Sequence, residues 1–143
     1  MFIMAADSHR VIAASIPLPR SLDTRIFIRI TTQAKAILLS LTTVSQEDAA
    51  AARPMGSFVY ALPDRFNHQQ AIATTLFSAE SSLEFTTRVA KLVARKTELP
   101  VYVTNSISLE SMGMGGTVEE EMEAFKSVAE AILSLLPKTA LPS

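Results

Sequence analysis

The sequence predicts an α+β domain, a mainly antiparallel sheet of about six strands with two amphipathic helices on one face, in the order βββββαβα. Three observations lead there. Short apolar runs with strand patterns, one of them strictly alternating, fill the first half of the chain. Apolar residues recur with helical spacing in two capped segments of the second half, and a Pro-led strand pattern lies between those segments.

Val11–Ile16 is a short apolar run ended by Pro17 and Pro19. In Arg25–Ile30, Ile26, Ile28 and Ile30 alternate with Phe27 and Arg29, as a strand with one buried face requires. Ala36–Thr43 and Ser57–Leu62 are apolar on both alternating sets, the pattern of central strands covered on two faces. Between them, QEDAAAARPMG (Gln46–Gly56) is punctuated by Pro54 and Gly56 and reads as a surface loop. Ile72–Phe77 is a fifth, hydroxyl-containing strand after the turn-like PDRFN.

Ser81 with Glu84 forms a capping-box pattern that starts the first helix. Phe85, Val89, Leu92 and Val93 share one of its faces, and Glu84, Arg88, Lys91 and Arg95 the opposite one, a basic outer stripe. Pro100 excludes continuation of the helix. Val101–Ile107 is then a strand, with Val101, Val103 and Asn105 on one side and Tyr102, Thr104 and Ser106 on the other. Thr117 and Glu120 make a second capping box, and Glu119–Glu121 place negative charge at the positive end of the helix dipole. Val118, Met122, Phe125, Ala129, Ile132 and Leu136 form the expected buried stripe, stopped by Pro137.

The 143 residues suit a single domain, with flexible tails expected at 1–7 and 138–143. Thirteen basic against 14 acidic residues leave a net charge of −1, so no basic field attracts nucleic acid. Cysteine is absent, which removes disulfides and thiolate nucleophiles and suits a reducing compartment; the expected location is the cytoplasm or nucleus. The opening MFIMAADSHR lacks the basic start and long apolar run of a secretion signal, and no stretch offers the about 18–20 uninterrupted apolar residues of a membrane span. Yet 48% of residues are hydrophobic and mean hydropathy is +0.27, enough that part of the apolar surface is expected to belong to a partner.

Little in the chain suits catalysis. Its histidines, His9 and His68, are far apart, and no metal-ligand cluster is visible. Asp64–His68 is the densest polar spot and could hold a general base, although turn chemistry alone explains it. MGMGGTVEEE (Met112–Glu121) is a glycine-rich loop entering a helix, where backbone N–H groups could cradle an anion. It lacks a P-loop lysine, and its glutamates repel phosphate, so a flexible connection is the favoured reading. No cofactor is expected.

RVAKLVARKTELPVYVTNSI, followed by EEEMEAF, resembles the proteasome assembly chaperone 4 family, in which a helix ending in Ala-Arg-Lys-Thr runs into a Val-aromatic-Val strand. Ala94–Thr97, Val101–Val103 and Glu120–Phe125 carry the resemblance, and the order of elements agrees. The alanine-rich loop at Gln46–Gly56, the loop at Met112–Gly116 and a last helix running beyond Phe125 depart from it. The resemblance implies a non-enzymatic chaperone that pairs with a sister chaperone, the third, and with it holds a proteasome α-type subunit, subunit 5 first among the candidates, to promote formation of the α ring.

Two helices can cover one face of the sheet, and strands apolar on both sides leave the second face for another chain. If Val101 and Val103 face the helices, Tyr102 and Thr104 point away from them with Phe58 and Tyr60 or with their alternates; alternation alone leaves the choice open. Phe58, Tyr60, Tyr102 and Thr104 are the candidate contacts with the sister chaperone, and Arg88, Lys91 and Arg95 the candidate contacts with the α-type subunit. The rival readings are a homodimeric adaptor of similar fold and a small anion- or nucleotide-binding domain using the Gly113–Gly116 loop.

Overall fold

In β2 (Thr24–Gln33) an isoleucine at every second position turns inward, and this single alternation sets the two faces of the sheet: Ile26, Ile28 and Ile30 are buried while Arg25, Phe27 and Arg29 are exposed. The computed structural model describes residues 9–45, 56–67, 69–79, 82–109 and 116–136. The expected tails, residues 46–55 and 110–115, His68 and Ser81 lie outside the described residues.

β1 (His9–Pro17), β2 and β3 (Ile37–Ser45) follow one another as antiparallel neighbours, and β4 (Ser57–Pro63) pairs antiparallel with β5 (Ala71–Phe77). β6 (Val101–Ser106) enters between these groups, parallel to β3 and antiparallel to β4, giving the order β1-β2-β3-β6-β4-β5. The expected element order and the mainly antiparallel sheet are both present. Val101 and Val103 are fully buried because β6 is central.

The joint into β6 is fixed residue by residue. α1 (Leu83–Thr97) ends where Glu98 adopts a left-handed conformation (φ 55°) and its N–H donates to Ala94 O at 2.8 Å. Thr97 Oγ1 donates to Val93 O at 2.8 Å, and Pro100 O accepts from Ile37 N at 2.9 Å, locking the start of β6 onto β3. The helix start differs from the expected Ser81 capping box. The N-cap is Ser82, which makes no side-chain cap bond. Buried Ser57 holds it instead, Oγ to Oγ at 2.8 Å, and Ser57 also exchanges hydrogen bonds with the backbone of Ala79. Glu84 is free to pair with Arg88 at 3.0 Å.

α2 (Val118–Leu135) starts with the expected capping box, Thr117 accepting from Glu120 N while the Glu120 carboxylate accepts from Thr117 N. Its buried stripe is the expected one only in part: Ile132 and Leu136 are buried and Phe125 packs against the core, but the first turns differ. Glu120, Ala124, Val128 and Ile132 face inward, whereas Val118 is 74% and Met122 60% exposed. The cap explains the rotation: Glu120 must point back under the helix end, where it also meets Arg20 at 3.9 Å, and residues at i+4 intervals follow it inward. The helices touch through Phe85 and Phe125, edge to face at 5.5 Å. Phe85, Val89 and Val93 of α1, Ala124, Val128 and Ile132 of α2, and the inward set of the strands form one core.

Candidate interaction surface

Register decides what the other side of the sheet carries. Leu38, Tyr102, Tyr60 and Thr74 stand in one row across β3, β6, β4 and β5, and Ser40, Thr104, Phe58 and Phe77 in the next. Leu62 and Ile72 face each other beyond the first row. Since Val101 and Val103 point to the helices, the alternation is settled: Phe58, Tyr60, Tyr102 and Thr104 lie together on the helix-free face, the one that no described helix covers. Leu38 is 42%, Phe77 55% and Ile72 57% exposed, so this face keeps large apolar side chains in water. Sequence reasoning did not add Leu38, Ile72 and Phe77 to the patch, because their adjacency to Tyr102 and Tyr60 depends on strand order.

The Tyr60 and Tyr102 rings are 4.5 Å apart with planes at 32°, and Phe58 lies 6.2 Å from Tyr102. The phenol of Tyr60 is raised above its usual 10.0, first by removal from water, then by the charge and hydrogen bond of Tyr102. Beside the aromatic cluster, Thr104 Oγ1 donates to Ser40 Oγ at 3.2 Å and Ser106 Oγ to Thr42 Oγ1 at 2.8 Å, so hydroxyls at the β3–β6 seam satisfy each other. An apolar patch whose neighbouring seam hydroxyls already pair with each other suits contact with another sheet.

Arg88, Lys91 and Arg95 are exposed on α1, as expected. With Gln69, Gln70, Leu92 and Phe125 they line a groove of about 590 Å³ between the helices and the β4–β5 hairpin. The stripe is therefore the wall of a concavity with an apolar floor.

The polar turn after β4 is explained by its own hydrogen bonds: Asp64 Oδ1 accepts from Phe66 N at 2.9 Å and Asn67 Oδ1 from Gln69 N at 3.0 Å. At the glycine-rich loop, Gly113 and Gly115 lie outside the described residues, while Gly116 N and Thr117 N both donate to the Glu120 carboxylate, at 2.8 and 3.0 Å. Two of the amides at this entry to the helix are thus occupied by the chain's own carboxylate, whose charge also opposes an anion there. Among the described residues there is no group of three or more metal-ligating side chains, and no helix is long and apolar enough to cross a membrane.

A family model described as proteasome assembly chaperone 4 matches residues 25–107, more than half of the chain. The chain belongs to the proteasome assembly chaperone 4 family. The match opens at the start of β2 and closes just beyond β6, so it contains the aromatic cluster, α1 and its basic stripe. Glu120–Phe125, one of the strings carrying the resemblance in sequence, lies past its end. Among solved structures, a chain of a chaperone complex for yeast 20S proteasome assembly is similar in fold, with a TM-score of 0.63 and 17% identity over 94% of this chain and 99% of that one. A search of curated protein sequences finds no significant match. Chaperone action in proteasome assembly is thus the activity of the family whose pattern this chain carries.

Proposed function

We propose that this chain is a non-enzymatic assembly chaperone whose helix-free sheet face packs against a sister chaperone, the third of the series. The pair then holds a proteasome α-type subunit, subunit 5 first among the candidates, while the α ring forms in the cytoplasm or nucleus. The observation that carries the reading is the exposed apolar row Leu38, Tyr102, Tyr60 with Phe58, Phe77 and Ile72 beside it. Such a face on a small domain is a liability in water and an asset in a complex. Family membership supports the chaperone role, and the likeness in fold to a member of a yeast chaperone complex supports pairing.

Phe58, Tyr60, Tyr102 and Thr104 are assigned to the sister interface, and Arg88, Lys91 and Arg95 to contact with the α-type subunit. The test is co-expression with the sister chaperone and measurement of mass by light scattering. A 1:1 complex is expected, and Tyr60→Glu with Tyr102→Glu should dissociate it while helicity is retained. The same pair, immobilised, should retain the α-type subunit where neither chaperone alone does. A chain that stays monomeric at high concentration and shows no affinity for the sister would overturn the reading.

A further inference from the structure

Among the described residues no aspartate or glutamate lies in a strand; the charged strand residues are Arg10, Arg25 and Arg29. Arg10 pairs with Thr32 on the helix side of the alternation, so Arg25 and Arg29 are the charges on the helix-free face. They are not equivalent. Arg25 sits at the end of β2, where its guanidinium donates to Ser15 Oγ and Ser15 O at 3.1 Å each. Arg29 stands at mid-strand between Ala13 and Ser40, exposed, with no hydrogen bond or ion pair among the described residues. Small neighbours leave a shallow groove of about 660 Å³ beside it, lined by Ala13, Ser15, Phe27, Arg29, Ser40 and Thr42.

A guanidinium stays charged at any physiological pH, so covering this face strands Arg29 unless the covering surface supplies a carboxylate. The strands of a second copy cannot supply one. We infer that Arg29 selects the occupant of this face: a different chain whose sheet presents a carboxylate into the Arg29–Phe27 groove, in place of a second copy of this chain. The inference rests on sheet-to-sheet pairing and adds its specificity. Attraction comes from the apolar row at β3, β6, β4 and β5; discrimination comes from one uncompensated charge at β2, for which the described strands of a second copy hold no carboxylate. A planar guanidinium beside an aromatic ring favours a two-point contact to Asp or Glu, with an apolar stem alongside Phe27.

The test uses the full chain and the sister chaperone. Arg29→Glu should weaken the heterodimer about 100-fold, mainly through faster dissociation, as for a buried charge pair. Reversing one Asp or Glu of the sister's sheet to Arg should restore binding. In sedimentation of the chain alone, Arg29→Leu should self-associate at concentrations where the unaltered chain is monomeric. Circular dichroism serves as the folding control, and Arg29→Lys, which retains the charge, should keep most of the affinity. Unchanged heterodimer affinity in Arg29→Glu, or a homodimer of the unaltered chain as tight as that of Arg29→Leu, overturns the inference. If Tyr60→Glu still abolishes pairing while Arg29→Glu does not, charge selection alone is wrong; if neither weakens pairing, the sheet-to-sheet reading falls with it.

Discussion

Tyr60 and Tyr102 occupy directly paired positions of β4 and β6, with ring centroids 4.5 Å apart on the face that no described helix covers. They are also the only tyrosines of a chain without tryptophan. Fluorotyrosine labelling should therefore give two ¹⁹F resonances, both reporting on this face. Both should shift on addition of the sister chaperone and neither on addition of nucleotide; a complex that forms without moving them would place the interface elsewhere. The raised phenol of Tyr60 also gives a pH signature. Because the folded state favours the neutral form, its contribution is complete below the usual value of 10.0 and is lost as pH rises through the higher folded value. Alkaline titration at 295 nm should show one tyrosine ionising late, and Tyr60→Phe should remove that phase.

Gly56 opens β4 with φ 74°, and a Cβ there would run into the backbone carbonyl of Asn105 on the neighbouring β6. Gly56→Ala combines left-handed strain with this collision at the centre of the sheet. Urea unfolding should show a loss of about 2–3 kcal/mol, from strain of about 1–3 kcal/mol plus displacement of the backbone.

Glu120 is a fully buried carboxylate that accepts from two backbone N–H groups and approaches Arg20. Glu120→Ala should cost about 2–3 kcal/mol by leaving those donors unpaired, and Glu120→Gln should recover part of the loss by keeping an acceptor in place. Equal losses in the two variants would mean that the charge facing Arg20, and not the cap, holds this end of α2.

Replacing Arg88, Lys91 and Arg95 together with Glu should hardly alter folding, because the side chains are exposed and the ion pair of Arg88 with Glu84 contributes only about 0.3–0.5 kcal/mol. Binding of the sister-paired variant to the α-type subunit should weaken, chiefly in association rate, and the defect should shrink at high salt. Unchanged affinity at low salt would leave the stripe as solubilising surface.

Local chemistry made most of the fold legible. Alternating isoleucines marked β2, Pro100 marked the joint into β6, and Thr117 with Glu120 marked the start of α2. Errors arose where tertiary contacts overrode a local pattern. Ser82 is turned away from the cap by the buried hydroxyl of Ser57, twenty-five residues earlier in the chain. Val118 and Met122 fit a helical stripe equally well in sequence, but the face that packs inward carries Glu120, Ala124, Val128 and Ile132 and leaves them in solvent. The aromatic group was partly readable, since alternation in β6 links Tyr102 to Thr104; placing Leu38 on one side and Tyr60 on the other required the central position of β6. Arg29 was visible in the alternation of β2, but its significance depends on the absence of acids from the other described strands.

The central position of β6 also orders events during synthesis. β1–β3 and β4–β5 share no ladder; the strand that joins them is the last of the six to leave the ribosome. Until Ser106 is available, β3 and β4 each present an unpaired inner edge, the kind of surface that recruits stray strands. The contacts that close the sheet span 40 to 48 residues between β4 and β6 and 64 between β3 and β6, separations that slow folding. A nascent chain halted before Val101 therefore has two sticky margins where the finished domain has its centre.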